Sequence, residues 1–216
     1  MDYSFAVNRI ISCPFLPGDD ARKPMSPSYR PVLEYGSDQR SYKEAAVLVL
    51  LVPGSSGLCF PLIQRPTGPG VHDGQVSLPG GSLEPGESYA DCALREANEE
   101  LGINPSSVKI IKQLSTLPVP PSRFIVYPFV GVINERPAYV PSSSEVAGLF
   151  EPSLDELLDS SSVNVEESEL YGQKWRIPFY RLAGLKVWGA TAMILAELAA
   201  ILNGTFPFAK GKEQQQ

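Results

Sequence analysis

The sequence predicts an α/β (α+β) fold in which a mixed β-sheet is sandwiched between helices. Three observations predict it. Ala45 to Val52, AAVLVLLV, is a continuous apolar run with β-branched residues, as suits a strand buried on both faces. Ser88 to Leu101 has the marks of a helix, with Gly102 behind it as the stop residue. Gly184 to Leu202 reads as a second long helix, apolar over most of its surface. Strands on both sides of a central helix, followed by a terminal helix, place helices on both faces of the sheet.

In chain order, residues 1–43 are rich in Pro, Ser and Arg with little periodicity, and read as an irregular arm with room for one short helix. PGSSG at 53–57 is turn chemistry, so Leu58 to Gln64 is expected to return on the first strand as a hairpin. A Gly/Pro-rich loop, Pro66 to Gly74, leads to a short strand, Gln75 to Leu78. Ser88 can cap the central helix, with Asp91 three residues on as a variant capping box. Segments 107–115 and 124–134 read as strands, Leu154 to Leu158 as a short helix, and SSSVNVEESEL (160–170) as an exposed loop. No internal repeat is visible. The expected organisation is an arm over 1–43, one domain over 44–205 and a flexible tail over 206–216.

The chain of 216 residues is 43% hydrophobic, enough for one sizeable core. Only 19% of residues are charged and the net charge is −6, which argues against a nucleic-acid surface. An anionic substrate stays open, because a local cation can reverse the sign of a site. Cys13, Cys59 and Cys92 are odd in number and far apart, which suits a reducing compartment better than a disulfide framework. No secretory signal is expected from the opening MDYSFAVNRI, which lacks a basic stretch followed by an apolar run. The longest apolar stretch, Val187 to Leu202, contains Glu197 and falls short of the ~20 residues of a membrane span. A cytoplasmic protein without a membrane partner is expected; a homodimer, through the arm or the terminal helix, is left open.

Gly80 to Ile103, GGSLEPGESYADCALREANEELGI, raises a question of charge. Glu96, Glu99 and Glu100 lie within about one 100° arc of a helix. Ala90, Leu94, Ala97 and Leu101 form the stripe expected to face the core, so the carboxylates should be presented together, away from it. Such hard oxygen donors on a rigid element suit Mg²⁺ or Mn²⁺, which completes its shell with water and phosphate. For an isolated RExxEE the plainer reading is a solvated acidic face. Arg95 alters that reading, since it can pair with Glu99 or with Glu87. Gly80 and Gly81 let backbone approach a ligand closely, and Pro85-Gly86 turns the loop back toward the helix.

Gly81, five residues, Glu87, seven residues, then Arg95-Glu96-Ala97-Asn98-Glu99-Glu100-Leu101-Gly102-Ile103 resembles the complete Nudix box. The one soft position is Ala97, where a bulkier aliphatic residue is usual. The resemblance implies the Nudix fold and hydrolysis of a nucleoside diphosphate linked to another group, with Mg²⁺ or Mn²⁺ as cofactor. It implies Glu96 and Glu100 as metal ligands, Glu99 as a third ligand or catalytic support, and the Gly81 carbonyl as a further donor. Arg95 belongs with the catalytic group and, like Glu87, clamps loop to helix; Gly102 is structural. The family draws its general base from the box or from another loop. Glu145, in SSSEVAGLFEPSLDEL, resembles a segment of some relatives and is the candidate, an ordinary loop glutamate being the alternative.

The preceding LIQRPTGPGVHDGQVSLPGG is similar to the coenzyme A diphosphatase branch, where an arginine precedes G-x-V-x-F-P-G-G. Arg65 and Gly74 keep that spacing, followed by Val76, Leu78, Pro79, Gly80 and Gly81. VWGATAMIL (187–195) also resembles that branch. Cleavage would then give 4′-phosphopantetheine and 3′,5′-ADP. Gly70 stands where the branch has a second arginine, Leu78 replaces Phe and Ile63 replaces Thr. Arg65, His72 and Gly80 are the expected substrate contacts, with Arg123 and Lys174 as further cations. Trp175 and Trp188 are read as packing residues. Alternatives are hydrolysis of ADP-ribose or a dinucleotide, or a sensor that binds a nucleotide derivative without cleaving it.

Overall fold

The computed structural model describes residues 1–28, 42–55, 57–67, 74–170 and 173–204. Its elements are α1 (Tyr3–Ile11), α2 (Gly18–Arg22), β1 (Lys43–Gly54), β2 (Gly57–Cys59), β3 (Leu62–Gln64), β4 (Val76–Ser77), β5 (Gly80–Ser82), α3 (Tyr89–Leu101), β6 (Lys109–Gln113), β7 (Leu117–Val119), β8 (Phe124–Val132), β9 (Gly148–Phe150), α4 (Leu154–Leu158), β10 (Val163–Leu170), β11 (Gln173–Leu182), β12 (Leu185–Trp188) and α5 (Gly189–Asn203).

The central sheet runs β2-β1-β8-β6, with β5 on β1 and β7 on β8. β1 and β8 are parallel, from Lys43↔Phe124 to Leu51↔Val132, while the other pairs are antiparallel. The mixed sheet expected from sequence is therefore present. The continuous apolar run of β1 serves two cores. Ala46, Leu48, Leu50 and Val52 meet Cys92, Ala93, Ala97 and Leu101 of α3. Val49 and Leu51 point the other way, into the core that contains Ala6 and Ile10 of α1 and most of α5.

Three expectations about the elements are corrected. Leu58–Gln64 is not one strand: β2 pairs β1, but Pro61 lacks the N–H to continue a ladder, and β3 instead joins β4 and β9 in a separate sheet. The segment 160–170 is not a loop throughout, because β10 pairs β11 from Val163↔Tyr180 to Leu170↔Gln173. Its acidic residues resemble a loop in composition, whereas Val163 and Val165 keep the alternation of a strand. The terminal helix starts at Gly189, later than expected. Ala183 and Gly184 both have positive φ, 49° and 77°, and turn β11 back onto β12 as a tight hairpin.

The arm is more ordered than irregular chain over its described part. Ala6, Ile10 and Met25 are buried in the core. Arg22, 1% exposed, forms an ion pair with Glu197 of α5, 0% exposed. Arg22 also donates to the Thr116 carbonyl at 3.0 Å, and Glu197 accepts from Ser115 Oγ at 2.6 Å and the Gly18 N–H at 3.3 Å. The charge that interrupts the apolar helix is thus a buried anchor for the arm, paired and hydrogen-bonded as burial requires. The tail expected at 206–216 lies outside the described residues.

Candidate active site

α3 begins as its sequence dictates. Ser88 Oγ accepts the Asp91 N–H at 3.2 Å and donates to Asp91 Oδ2 at 2.6 Å. Tyr89 and Tyr127 stack at 3.7 Å and both donate to Glu44 Oε1, at 2.7 and 3.1 Å, which ties the helix start to β1. The helix ends at Gly102, in the left-handed conformation at φ 70°. Beyond it, the Val140 N–H donates to the Leu101 carbonyl and the Ser142 N–H to the Glu100 carbonyl, each at 2.9 Å. These donors satisfy end carbonyls of the helix and dock the loop that carries Glu145.

The helix lies against β5. An ideal Cβ on Gly81 would stand 2.3 Å from Glu96 Oε1, so only glycine admits the Glu96 carboxylate at this place. Gly80 is close-packed on β1, where a Cβ would lie 2.4 Å from the Ala46 carbonyl oxygen. The two glycines admit close packing, Gly81 toward a carboxylate and Gly80, at φ 155°, toward backbone.

Arg95 answers most of the acidic charge. Its Nε donates to Glu87 Oε1 at 2.9 Å, Nη1 to Glu96 Oε1 and Glu99 Oε2 at 2.9 Å each, and Nη2 to the Ser82 carbonyl at 3.0 Å and Glu87 Oε2 at 3.2 Å. Glu87, bonded to this guanidinium, is held below the ordinary carboxylate range. Glu96 is pushed up by burial, with Arg95 opposing the shift.

Glu100 differs from the expectation that all three carboxylates face away from the core. It is 1% exposed, and its Oε2 accepts the Gly80 N–H at 2.9 Å. Burial pushes it up to about 7, against the pull of the Gly80 N–H and Arg65. The advance of ~100° per residue puts Glu100 at the edge of the packed face, beside Ala97 and Leu101 rather than opposite them. Arg65 Nη2 donates to the Gly80 carbonyl at 3.2 Å and stands 3.8 Å from Glu100 Oε1.

Glu145 is exposed on its loop, and its charge raises both Glu96 and Glu100. The loop has a clamp that local sequence does not signal. Glu151 accepts Tyr139 OH at 2.8 Å and pairs with Arg136, while the Ala147 N–H donates to the Gln64 carbonyl at 2.8 Å. The structure thus brings together Arg65, Gly80, Gly81, Glu87, Arg95, Glu96, Glu99 and Glu100, with Glu145 at their margin. Arg123 lies at the turn before β8 and Lys174 on β11. His72 and Gly70 lie outside the described residues.

The donors are hard oxygens, and Gly81 leaves the space that a side chain would take from Glu96. Among the described residues, no three metal-ligating side chains close on one point. Glu96 and Glu100 carry the carboxylates that could hold a divalent cation, whose shell water and phosphate would complete.

Residues 42–181 match the NUDIX domain. The chain is 33% identical over 172 residues to "Nudix hydrolase 15, mitochondrial" of Arabidopsis thaliana, covering 76% of this chain but only 60% of that relative's length. It is 34% identical over 181 residues to "Uncharacterized Nudix hydrolase NudL" of Pectobacterium atrosepticum, covering 81% of this chain and 87% of that protein. The crystal structure of the Nudix hydrolase RenU from M. smegmatis superposes with a TM-score of 0.54 at 18% identity, over 77% of this chain and 88% of that one. Among the described residues no helix is long and apolar enough to cross a membrane. The domain match begins beside β1 and ends within β11, taking in the central sheet, α3 and the Glu145 loop, and the bacterial relative is matched over most of its length: the chain belongs to the Nudix hydrolase family.

Proposed function

We propose that the protein hydrolyses the diphosphate linkage of coenzyme A and its thioesters, giving 3′,5′-ADP and 4′-phosphopantetheine, with Mg²⁺ or Mn²⁺ held by Glu96 and Glu100. The observation that carries the proposal is the placement of Arg65 and Gly80 against Glu100. The stretch resembling the coenzyme A branch thereby meets the box at one point. A divalent cation supplies neutralisation of the diphosphate and activation of water near neutral pH. Glu99 and the Gly81 carbonyl are further donors beside the two ligands. Glu145 takes the proton from the attacking water, Arg65 orients the diphosphate through its planar fork, and Arg95 keeps Glu96 and Glu99 in place. The water oxygen bonds to one phosphorus as that atom's bond to the bridging oxygen breaks, and the bridging oxygen leaves on the other phosphate, so each product ends in a phosphate group.

Leu78, Ile63 and Gly70 depart from the branch pattern and favour a second reading, in which the same chemistry acts on ADP-ribose or a dinucleotide. Coenzyme A, ADP-ribose and a diadenosine polyphosphate, each offered with Mg²⁺ and with Mn²⁺, separate the two by product analysis. Release of 3′,5′-ADP from coenzyme A as the fastest reaction supports the proposal. Faster turnover of ADP-ribose or the dinucleotide moves the substrate class, and binding without turnover favours a sensor.

A further inference from the structure

Two guanidinium groups face the carboxylates, and they are held very differently. Arg95 has its fork fully committed to Glu87, Glu96, Glu99 and the Ser82 carbonyl, at 2.9–3.2 Å. Among the described residues the Arg65 guanidinium makes one hydrogen bond, to the Gly80 carbonyl at 3.2 Å, and its 3.8 Å approach to Glu100 is too long for another. Its side chain is 37% exposed, against 2% for Glu100. Its backbone is fixed, the Arg65 N–H donating to the Gln75 carbonyl at 3.0 Å. The backbone is therefore anchored, while the half-buried guanidinium keeps donors uncommitted among the described residues.

We propose that Arg65 is a displaceable counter-ion, which neutralises Glu100 in the metal-free protein and turns to the diphosphate of the substrate once a divalent cation takes Glu100. The inference rests on the reading of Glu100 as a metal ligand. A buried charged carboxylate is stabilised by a cation beside it, and among the described residues Arg65 is the cation at ion-pair distance from Glu100. A divalent ion on the same carboxylate repels that guanidinium, and the substrate's phosphate oxygens accept its fork better than a single carbonyl does. Arg95 cannot exchange in this way, because leaving would strip Glu87, Glu96 and Glu99 at once. Metal and diphosphate then bind cooperatively through one side chain, each favouring the state the other needs.

Calorimetric titration of the metal-free full chain with Mn²⁺, for wild type, Arg65→Met and Glu100→Gln, tests this, followed by ADP titration in saturating Mn²⁺. Arg65→Met is expected to bind Mn²⁺ about two- to fivefold tighter than wild type, the scale of a weak half-exposed ion pair. It should bind ADP about tenfold or more weaker. Mn²⁺ affinity unchanged or weakened in Arg65→Met, with Glu100→Gln losing the ion, overturns the counter-ion role and leaves the metal site standing. Tighter Mn²⁺ with unchanged ADP affinity overturns the turn toward diphosphate. Wild-type Mn²⁺ affinity in Glu100→Gln removes the metal-site reading and this inference with it.

Discussion

Glu100 accepts the Gly80 N–H at 2.9 Å while standing almost wholly out of water. Burial raises its carboxyl from an ordinary 4.5 to about 7. The sign of the linkage follows directly. The unfolded chain releases this proton near 4.5 and the folded one near 7, so folding stability falls as pH rises across that window. The loss reaches roughly 3 kcal/mol above it. Glu100→Gln keeps an acceptor for Gly80 and removes the charge. In EDTA, urea denaturation should therefore show the variant more stable than wild type at pH 8, with the difference shrinking toward pH 5.

Gly80 and Gly81 should fail differently when given a methyl group. In Gly81→Ala the new Cβ lies 2.3 Å from Glu96 Oε1, a side chain that can move aside. Fold should survive and Mn²⁺ binding should fall by tenfold or more, about 1.4 kcal/mol on the affinity scale. In Gly80→Ala the clash is with the Ala46 carbonyl oxygen at 2.4 Å, and the β1–β5 ladder must break. A destabilisation of about 3 kcal/mol or more is expected, read by denaturant midpoint.

Arg95→Lys keeps one positive charge but cannot serve Glu87, Glu96, Glu99 and Ser82 together. Turnover should fall at least tenfold, by about 1.4 kcal/mol of transition-state stabilisation. Unaltered kcat/KM in the lysine variant would show that the fork is not needed.

The buried Arg22–Glu197 pair predicts a stability effect remote from the site. Arg22→Met leaves Glu197 without its cationic partner at 0% exposure, which should cost about 3–5 kcal/mol. Replacing both partners by apolar residues should recover much of this, measured by chemical denaturation.

What local sequence conveyed was whatever depends on near neighbours. The Ser88–Asp91 cap, the Gly102 stop and the Arg95 pairing with Glu87 and Glu99 all act within about two helical turns. The apolar run of β1 was equally plain, since both its faces are covered. Glu100 was misplaced because helical phase assigns a side chain to an arc, while only the approach of Gly80 decides whether that arc is packed. β10 hid behind its acidic residues, because an edge strand can be polar and still complete a backbone ladder. Glu197 and Arg22 are separated by most of the chain, as are Gln64 and Ala147 by the whole of α3 and β8. Contacts of that kind carry no periodicity, so the arm's anchor and the clamp on the Glu145 loop emerge only with the fold.

The most direct test of the central claim compares coenzyme A hydrolysis by wild type and Glu100→Gln across a Mn²⁺ or Mg²⁺ titration, with far-UV circular dichroism to verify folding. Wild type should release 3′,5′-ADP in a metal-dependent way, and the variant should lose at least about 100-fold, some 2.7 kcal/mol of transition-state stabilisation. A folded Glu100→Gln that turns over within tenfold of wild type would contradict that claim.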